Sequence, residues 1–86
     1  MKSRQIPFST LRRYLEGLGF VTHVGAGGFI MCEHAESGCK LYYPAFRDND
    51  IVPALHIGIT GKFLDEFGLV ERDDFEDQLR QHSIAG

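Results

Sequence analysis

Between Phe20 and Pro44, three short apolar stretches are separated by two four-residue turns, and this spacing limits the possible folds more than any other feature of the chain. The stretches are Phe20 to Val24, Phe29 to His34 and Cys39 to Tyr43; the turns are Gly25-Ala26-Gly27-Gly28 and Ala35-Glu36-Ser37-Gly38. Glycine accepts positive φ without steric cost, so each turn can reverse the chain and set its flanking stretches antiparallel. Pro44 cannot donate to a ladder and closes the third stretch. A three-stranded meander is expected. The glycines do not read as a phosphate loop, because such a loop leads directly into a helix N-terminus. Here Phe29-Ile30-Met31-Cys32 follows, which is strand-like.

Helical patterns flank the meander. Leu11, Tyr14, Leu15 and Leu18 recur at i, i+3, i+4 and i+7, with Arg12, Arg13 and Glu16 on the other side. Ser9 or Thr10 can cap the start, and Gly19 suits a left-handed stop onto which Phe20 folds back. After the polar segment Ala45 to Val52, Pro53 suits the first turn of a second helix. Leu55, Ile59, Phe63 and Phe67 form its i, i+4 stripe, and Gly68 ends it. Gly58 and Gly61 each weaken this helix by about 1 kcal/mol relative to Ala, a cost that close packing on the sheet would explain. Asp73-Asp74-Phe75-Glu76 resembles a capping box that opens a third helix over about 73–82. The expected class is α+β: α-β-β-β-α with a three-stranded antiparallel sheet, helices on one face, and a short C-terminal helix.

Side chains alternate along a strand, so the turns also predict the two faces. With His34 opposite Cys39, Cys32 pairs with Leu41 and Ile30 with Tyr43, giving a face that suits the helices. The other face carries Phe29, Met31 and Glu33 opposite Pro44, Tyr42 and Lys40. Glu33 and Lys40 would form a charge pair, and Phe29, Met31 and Tyr42 an exposed apolar patch of the kind that marks a partner site. A slip of one residue inverts the assignment.

Composition narrows the class. The 86 residues are 43% apolar, with seven Phe and three Tyr, enough for the core of one small domain. No run of about eighteen apolar residues suggests a membrane span. The N-terminal MKSRQIPFSTLRR lacks the apolar centre of a signal peptide, so a cytoplasmic protein with reduced cysteines is expected. Charge is uneven. Residues 1–45 carry five Lys and Arg against three acids; residues 46–86 carry four against nine. That balance disfavours nucleic acid over most of the surface and leaves the N-terminal end as the basic part.

Several chemistries are conceivable. Cys32, His34 and Cys39 could offer three zinc ligands, with His23 or His56 as a fourth, but the spacing is not that of paired knuckles. Small buried cysteines explain the same residues. A Cys32–Cys39 disulfide needs Cα atoms within about 7 Å, and the two are diagonal in the expected register. Neither cysteine has a triad pattern around it. His23, His56 and His82 are scattered, and the acidic run Glu71 to Asp77 suits a solvated helix start. No cofactor is indicated.

The segments LRRYLEGLGF, GGFIMCEH, KLYYP and FLDEFGL, in this order over about 10–69, resemble the HicA-type toxins. These are small RNA-cleaving domains with a double-stranded-RNA-binding-like fold, each paired with an antitoxin. The family's middle strand typically begins Gly-Ser-His and ends Phe-x-His. Aligned on His34, the resemblance sets Gly27 and Gly28 at the first two positions and Phe29 at the catalytic His. A phenyl ring cannot move the proton of an RNA 2′-hydroxyl, whereas a neutral imidazole can. The resemblance therefore implies the scaffold without the ribonuclease. The expected function is binding of an antitoxin-like protein or RNA through Phe29, Met31 and Tyr42, with Lys40, Arg12 and Arg13 supplying charge. The alternatives are an active RNA-cleaving toxin using His23 or His34, and a small structural or zinc-binding domain. A homodimer through the open face is a further option.

Overall fold

A computed structural model describes residues 5–85, with side chains to residue 81; Lys2 and Arg4 of the basic end, and the His82 side chain, lie outside the described part. The elements are α1 (Phe8–Gly17), β1 (Val21–Val24), β2 (Ile30–His34), β3 (Cys39–Tyr43), α2 (Ala54–Glu66) and α3 (Arg72–Ala85). The strands form one antiparallel sheet in the order β1-β2-β3. This is the expected α+β arrangement.

Helix α1 buries Leu11, Tyr14 and Leu15, as its periodicity predicts. Its end is a Schellman turn. Gly19 takes φ 107°, its N–H donates to the Glu16 carbonyl at 3.0 Å, and the Phe20 N–H donates to the Leu15 carbonyl at 3.1 Å. Its start differs from expectation. Neither Ser9 nor Thr10 caps it; the helix begins at Phe8 with Pro7 at the cap position and no side-chain cap. The free amides of Phe8 and Ser9 donate instead to the backbone carbonyls of Asp50 and Asp48, at 2.8 and 3.0 Å. The polar loop before α2 thus does the capping, a long-range contact that local sequence rules cannot anticipate.

The register of β2 and β3 is the expected one: Ile30 pairs with Tyr43, Cys32 with Leu41, Glu33 with Lys40 and His34 with Cys39. Burial follows the pleat, with Ile30, Cys32, His34, Cys39, Leu41 and Tyr43 inside. All of these but His34 join Leu11, Leu15, Phe20, Leu64, Phe75 and Leu79 in one apolar cluster. Fully burying an aliphatic or aromatic side chain contributes about 1.5–3 kcal/mol, so this cluster is the main source of stability.

Helix α2 corrects a second expectation. Its inner face is Ile57, Thr60, Gly61 and Leu64, whereas Leu55, Ile59 and Phe67 of the predicted stripe are exposed. Thr60 is inside because the Tyr43 hydroxyl, buried beneath the sheet, lies 2.6 Å from its Oγ1. Burial holds the Tyr43 phenol well above the usual tyrosine range, against the opposing effect of that hydrogen bond. Gly61 allows close packing on α3 rather than on the sheet, since a Cβ there would stand 2.9 Å from the Phe75 ring; Gly58 has open space.

Helix α3 rests on α1 and α2. Tyr14 donates its hydroxyl to Gln78 Oε1 at 2.9 Å, and Phe75 and Leu79 enter the core. The helix begins one residue before the expected 73, at Arg72, and runs past 82. Its start is capped by Asp65, whose carboxylate accepts the Arg72 N–H at 3.1 Å, and not by the Asp73–Glu76 box.

The two α2 glycines are therefore expected to respond oppositely in urea unfolding. Gly58→Ala stabilises by up to about 1 kcal/mol through helix propensity. Gly61→Ala is destabilising by about 1 kcal/mol net, because overpacking against Phe75 exceeds the same propensity gain. Equal stabilisation by both substitutions would refute the close α2–α3 contact.

Candidate functional site on the open sheet face

The turn at Gly25–Gly28 positions the start of the central strand. Gly27 and Gly28 take φ 79° and 86°, and the Gly25 N–H donates to the Phe29 carbonyl at 2.8 Å. A Cβ on Gly28 would also stand 3.0 Å from that of Ala45, so this position requires glycine twice over. Phe29 leaves the turn in extended conformation and is 65% exposed.

From there the pleat builds one row. Val21 pairs with Glu33, His23 with Met31, Met31 with Tyr42 and Glu33 with Lys40. Paired residues share a face, so these six lie together on the side away from the buried cluster. Phe29 precedes Met31 by two and continues the row. Tyr42 is 66% exposed and Val21 is also exposed, while Met31 is half-buried among them. Val21 was not among the expected binding residues; its exposure follows from the β1 register, which the turn alone did not set.

The charges of the row differ from expectation. Glu33 faces Lys40 in register, yet its nearest cationic partner is His23, with Nε2 3.8 Å from Oε1 and both side chains solvated. The separation exceeds a hydrogen bond, and the pair is ionic only when the imidazole is protonated. Lys40 is exposed, and no ion pair reaches it among the described residues. Arg12 and Arg13 do not join this surface. They lie on α1, in the helix layer, where Arg12 contacts Glu16 at 3.6 Å and Asp48 at 3.3 Å. The expected binding set therefore separates into Phe29, Met31, Lys40 and Tyr42 on the open face and two arginines elsewhere.

The remaining candidates lie on the covered face. His34 is 8% exposed and packs on Phe20, with ring centroids 5.2 Å apart. Its Nδ1 accepts the Ser37 N–H at 3.2 Å and lies 2.9 Å from the Ser37 hydroxyl. The ring so placed is a packing group of the second turn, and as a proton-transfer group it has no access to a ligand on the open face. The metal alternative loses its geometry. Cys32, His34 and Cys39 share the covered face, but among the described residues no three His, Cys, Asp or Glu side chains are grouped to hold a metal. The two thiols are free and buried, and Cys32 Sγ lies 3.8 Å from the Thr22 hydroxyl. His56 packs edge-on against Phe46, with centroids 5.5 Å apart.

Burial pushes both thiols above the ordinary cysteine range, chiefly by desolvating the thiolate. Raised folded-state values mean that stability is fully present below the unfolded thiol pKa, about 8.5, and is lost as pH rises through the folded ones. Unfolding free energy is expected to fall as pH rises above about 8.5, and Cys32→Ala/Cys39→Ala to flatten that slope. A slope unchanged in the double variant would show that the thiols are not its source.

Among the described residues no helix is long and apolar enough to cross a membrane. Comparison of the chain with protein-family models, with curated proteins and with solved structures found no match in any of the three.

Proposed function

We propose that the chain is a HicA-like domain without ribonuclease activity that binds a protein partner through the open face of its sheet. The observation that carries this reading is the row of Val21, Phe29, Met31 and Tyr42 on a face that no described element covers. Such patches mark interaction sites, and aromatic residues and Met are enriched at interfaces. The resemblance to HicA aligns Phe29 with the catalytic His, and a phenyl ring transfers no proton. Charge favours protein over RNA. Single-stranded RNA is held by aromatic stacking within a positive groove. Here Lys40 is the one Lys or Arg of the row, next to Glu33, and Arg12 is engaged by Glu16 and Asp48.

A second reading, RNA cleavage, is favoured by one observation: His23 lies on the same face, 3.8 Å from Glu33 and opposite Met31. Its neutral imidazole could take the proton of a 2′-hydroxyl, with Lys40 near the phosphate.

Two experiments distinguish these readings. The purified chain is expected to leave single-stranded RNA intact and to cause no growth arrest on expression. Cleavage that disappears in His23→Ala would replace the binding reading with the catalytic one. The wild type is expected to co-purify with the product of the adjacent reading frame, and Phe29→Ala/Tyr42→Ala to weaken that complex by at least about 2 kcal/mol, roughly thirtyfold. Both side chains are largely exposed, so the double variant should keep its fold. Binding unaffected by the double change would exclude the open face, and salt-sensitive binding to RNA would move the proposal to that ligand.

A further inference from the structure

We infer that His34 and Ser37 form a pH-sensitive latch on the turn between β2 and β3, closed while the imidazole is neutral and released when it takes a proton. Three hydrogen bonds converge on this turn. The Gly38 N–H donates to the His34 carbonyl at 2.8 Å, the Cys39 N–H to the Ser37 hydroxyl at 3.1 Å, and the Ser37 N–H to His34 Nδ1 at 3.2 Å. The last bond fixes the state of the ring. A backbone amide can only donate, so Nδ1 keeps its lone pair and the proton of the neutral ring sits on Nε2. The Ser37 hydroxyl, 2.9 Å from the same nitrogen, accepts from Cys39 and donates to Nδ1. Among the described residues no backbone carbonyl takes the Ser37 N–H, which leaves the imidazole as its acceptor.

Protonation reverses this arrangement. An imidazolium carries an N–H on both nitrogens and accepts nothing. The hydroxyl can adapt, turning its proton away and accepting from Nδ1 as it does from Cys39. The Ser37 amide cannot; its N–H is left pointing at another N–H. Packing offers the ring no better placement. It is buried against the Phe20 ring, and a Cβ on Gly19 would stand 3.3 Å from its Cδ2 and Nε2. Turning it over exchanges Nδ1 for Cδ2 and loses both bonds.

Nothing around the ring compensates a positive charge. Gly19 and Phe20, after α1, present no titratable group, and Glu16 of that helix is turned to Thr22 and Arg12. On the sheet, Cys32 and Cys39 share the covered face, and burial holds both thiols above the ordinary range and therefore neutral. Glu33 and Lys40 lie on the opposite face. Glu36, in the turn itself, is exposed, and among the described residues no carboxylate lies within ion-pair distance of His34. A buried cation without a partner is costly, so the protonated ring is accommodated by opening the turn. Release acts on the end of the sheet that carries Glu33 and Lys40 and leaves the Phe29 end held by the first turn.

Nuclear magnetic resonance of the full chain tests the inference. Near neutral pH the His34 ring is expected as the Nε2–H tautomer, read from long-range proton–nitrogen correlations. Amide exchange at Ser37 and Cys39 is compared with that of an unstructured peptide at the same pH. As pH falls from about 7.5 to 5, it should quicken in step with protonation of the ring, by up to about tenfold per pH unit, the limit for one proton. The Gly28 amide, bonded to the Gly25 carbonyl in the first turn, should not follow. His34→Asn places a carboxamide oxygen where Nδ1 stands. That oxygen accepts the Ser37 N–H but takes no proton, so the turn should persist and the acid response vanish. His23→Asn, on the open face, should leave the response intact. The tautomer and exchange measurements need only the wild type, so they decide even where His34→Asn does not fold. A ring protonated on Nδ1 at neutral pH, exchange at Ser37 and Cys39 indifferent to protonation of the ring, a Gly28 amide that follows it equally, a response surviving in His34→Asn, or one lost in His23→Asn would each overturn the latch.

Discussion

The register of the central strand is the constraint on which the rest of the structure depends. β2 pairs with both neighbours, and its alternate residues are committed in opposite directions. Ile30, Cys32 and His34 face the helices; Met31 and Glu33 face away. A one-residue slip would drive Glu33 into the core and bring Cys32 to the surface, at a cost of several kcal/mol for the buried carboxylate. Two tight turns hold the register. Gly27 and Gly28 at positive φ close the first, and the second is braced by Ser37, whose amide donates to His34 and whose hydroxyl accepts the Cys39 N–H at 3.1 Å. The exposed row of the open face is a direct consequence of this register.

The helix layer is held by a different set of contacts. Two of the three helices depend for their N-terminus on groups outside themselves: α1 on the carbonyls of Asp48 and Asp50, α3 on the Asp65 carboxylate. The isolated bridge between Pro7 and Ile51 fastens the same loop to the start of α1. Such caps are worth on the order of 1 kcal/mol each and couple the helices to the loops that join them. The buried Tyr43–Thr60 and the partly buried Tyr14–Gln78 hydrogen bonds then fix α2 on the sheet and α3 on α1. These polar contacts among apolar neighbours select one arrangement, since an unpaired buried hydroxyl is costly.

Much of this was legible in the chain. The turn spacing determines the meander, because glycine-rich and polar tetrapeptides between apolar stretches leave few other conformations open. It also determines the β2–β3 register and so the separation of Phe29 from His34 onto opposite faces. The 3.6-residue stripe and Gly19 determine α1 and its stop. The candidate site was legible to the same extent: Phe29, Met31, Lys40 and Tyr42 come from strand alternation alone. Arg12 and Arg13 did not belong with them, since sequence order says nothing of which side of the sheet a helix will cover.

Three matters were decided only in three dimensions. The face that α2 buries was one, because its i, i+4 apolar stripe lost to Thr60 and Gly61. A hydroxyl partner on Tyr43 and a close-packed Phe75 gave those two small residues a place inside, where the larger Leu55 and Ile59 were not needed. The partner of Glu33 was another: cross-strand order suggested Lys40, but the β1 register carried His23 closer. The caps of α1 and α3 were the third. Local patterns determine elements and turns because their energies arise within a few residues of chain. Faces, caps and partners are settled by packing between segments far apart in sequence, where the available volume and the nearest free hydrogen-bonding group, rather than propensity, determine the outcome.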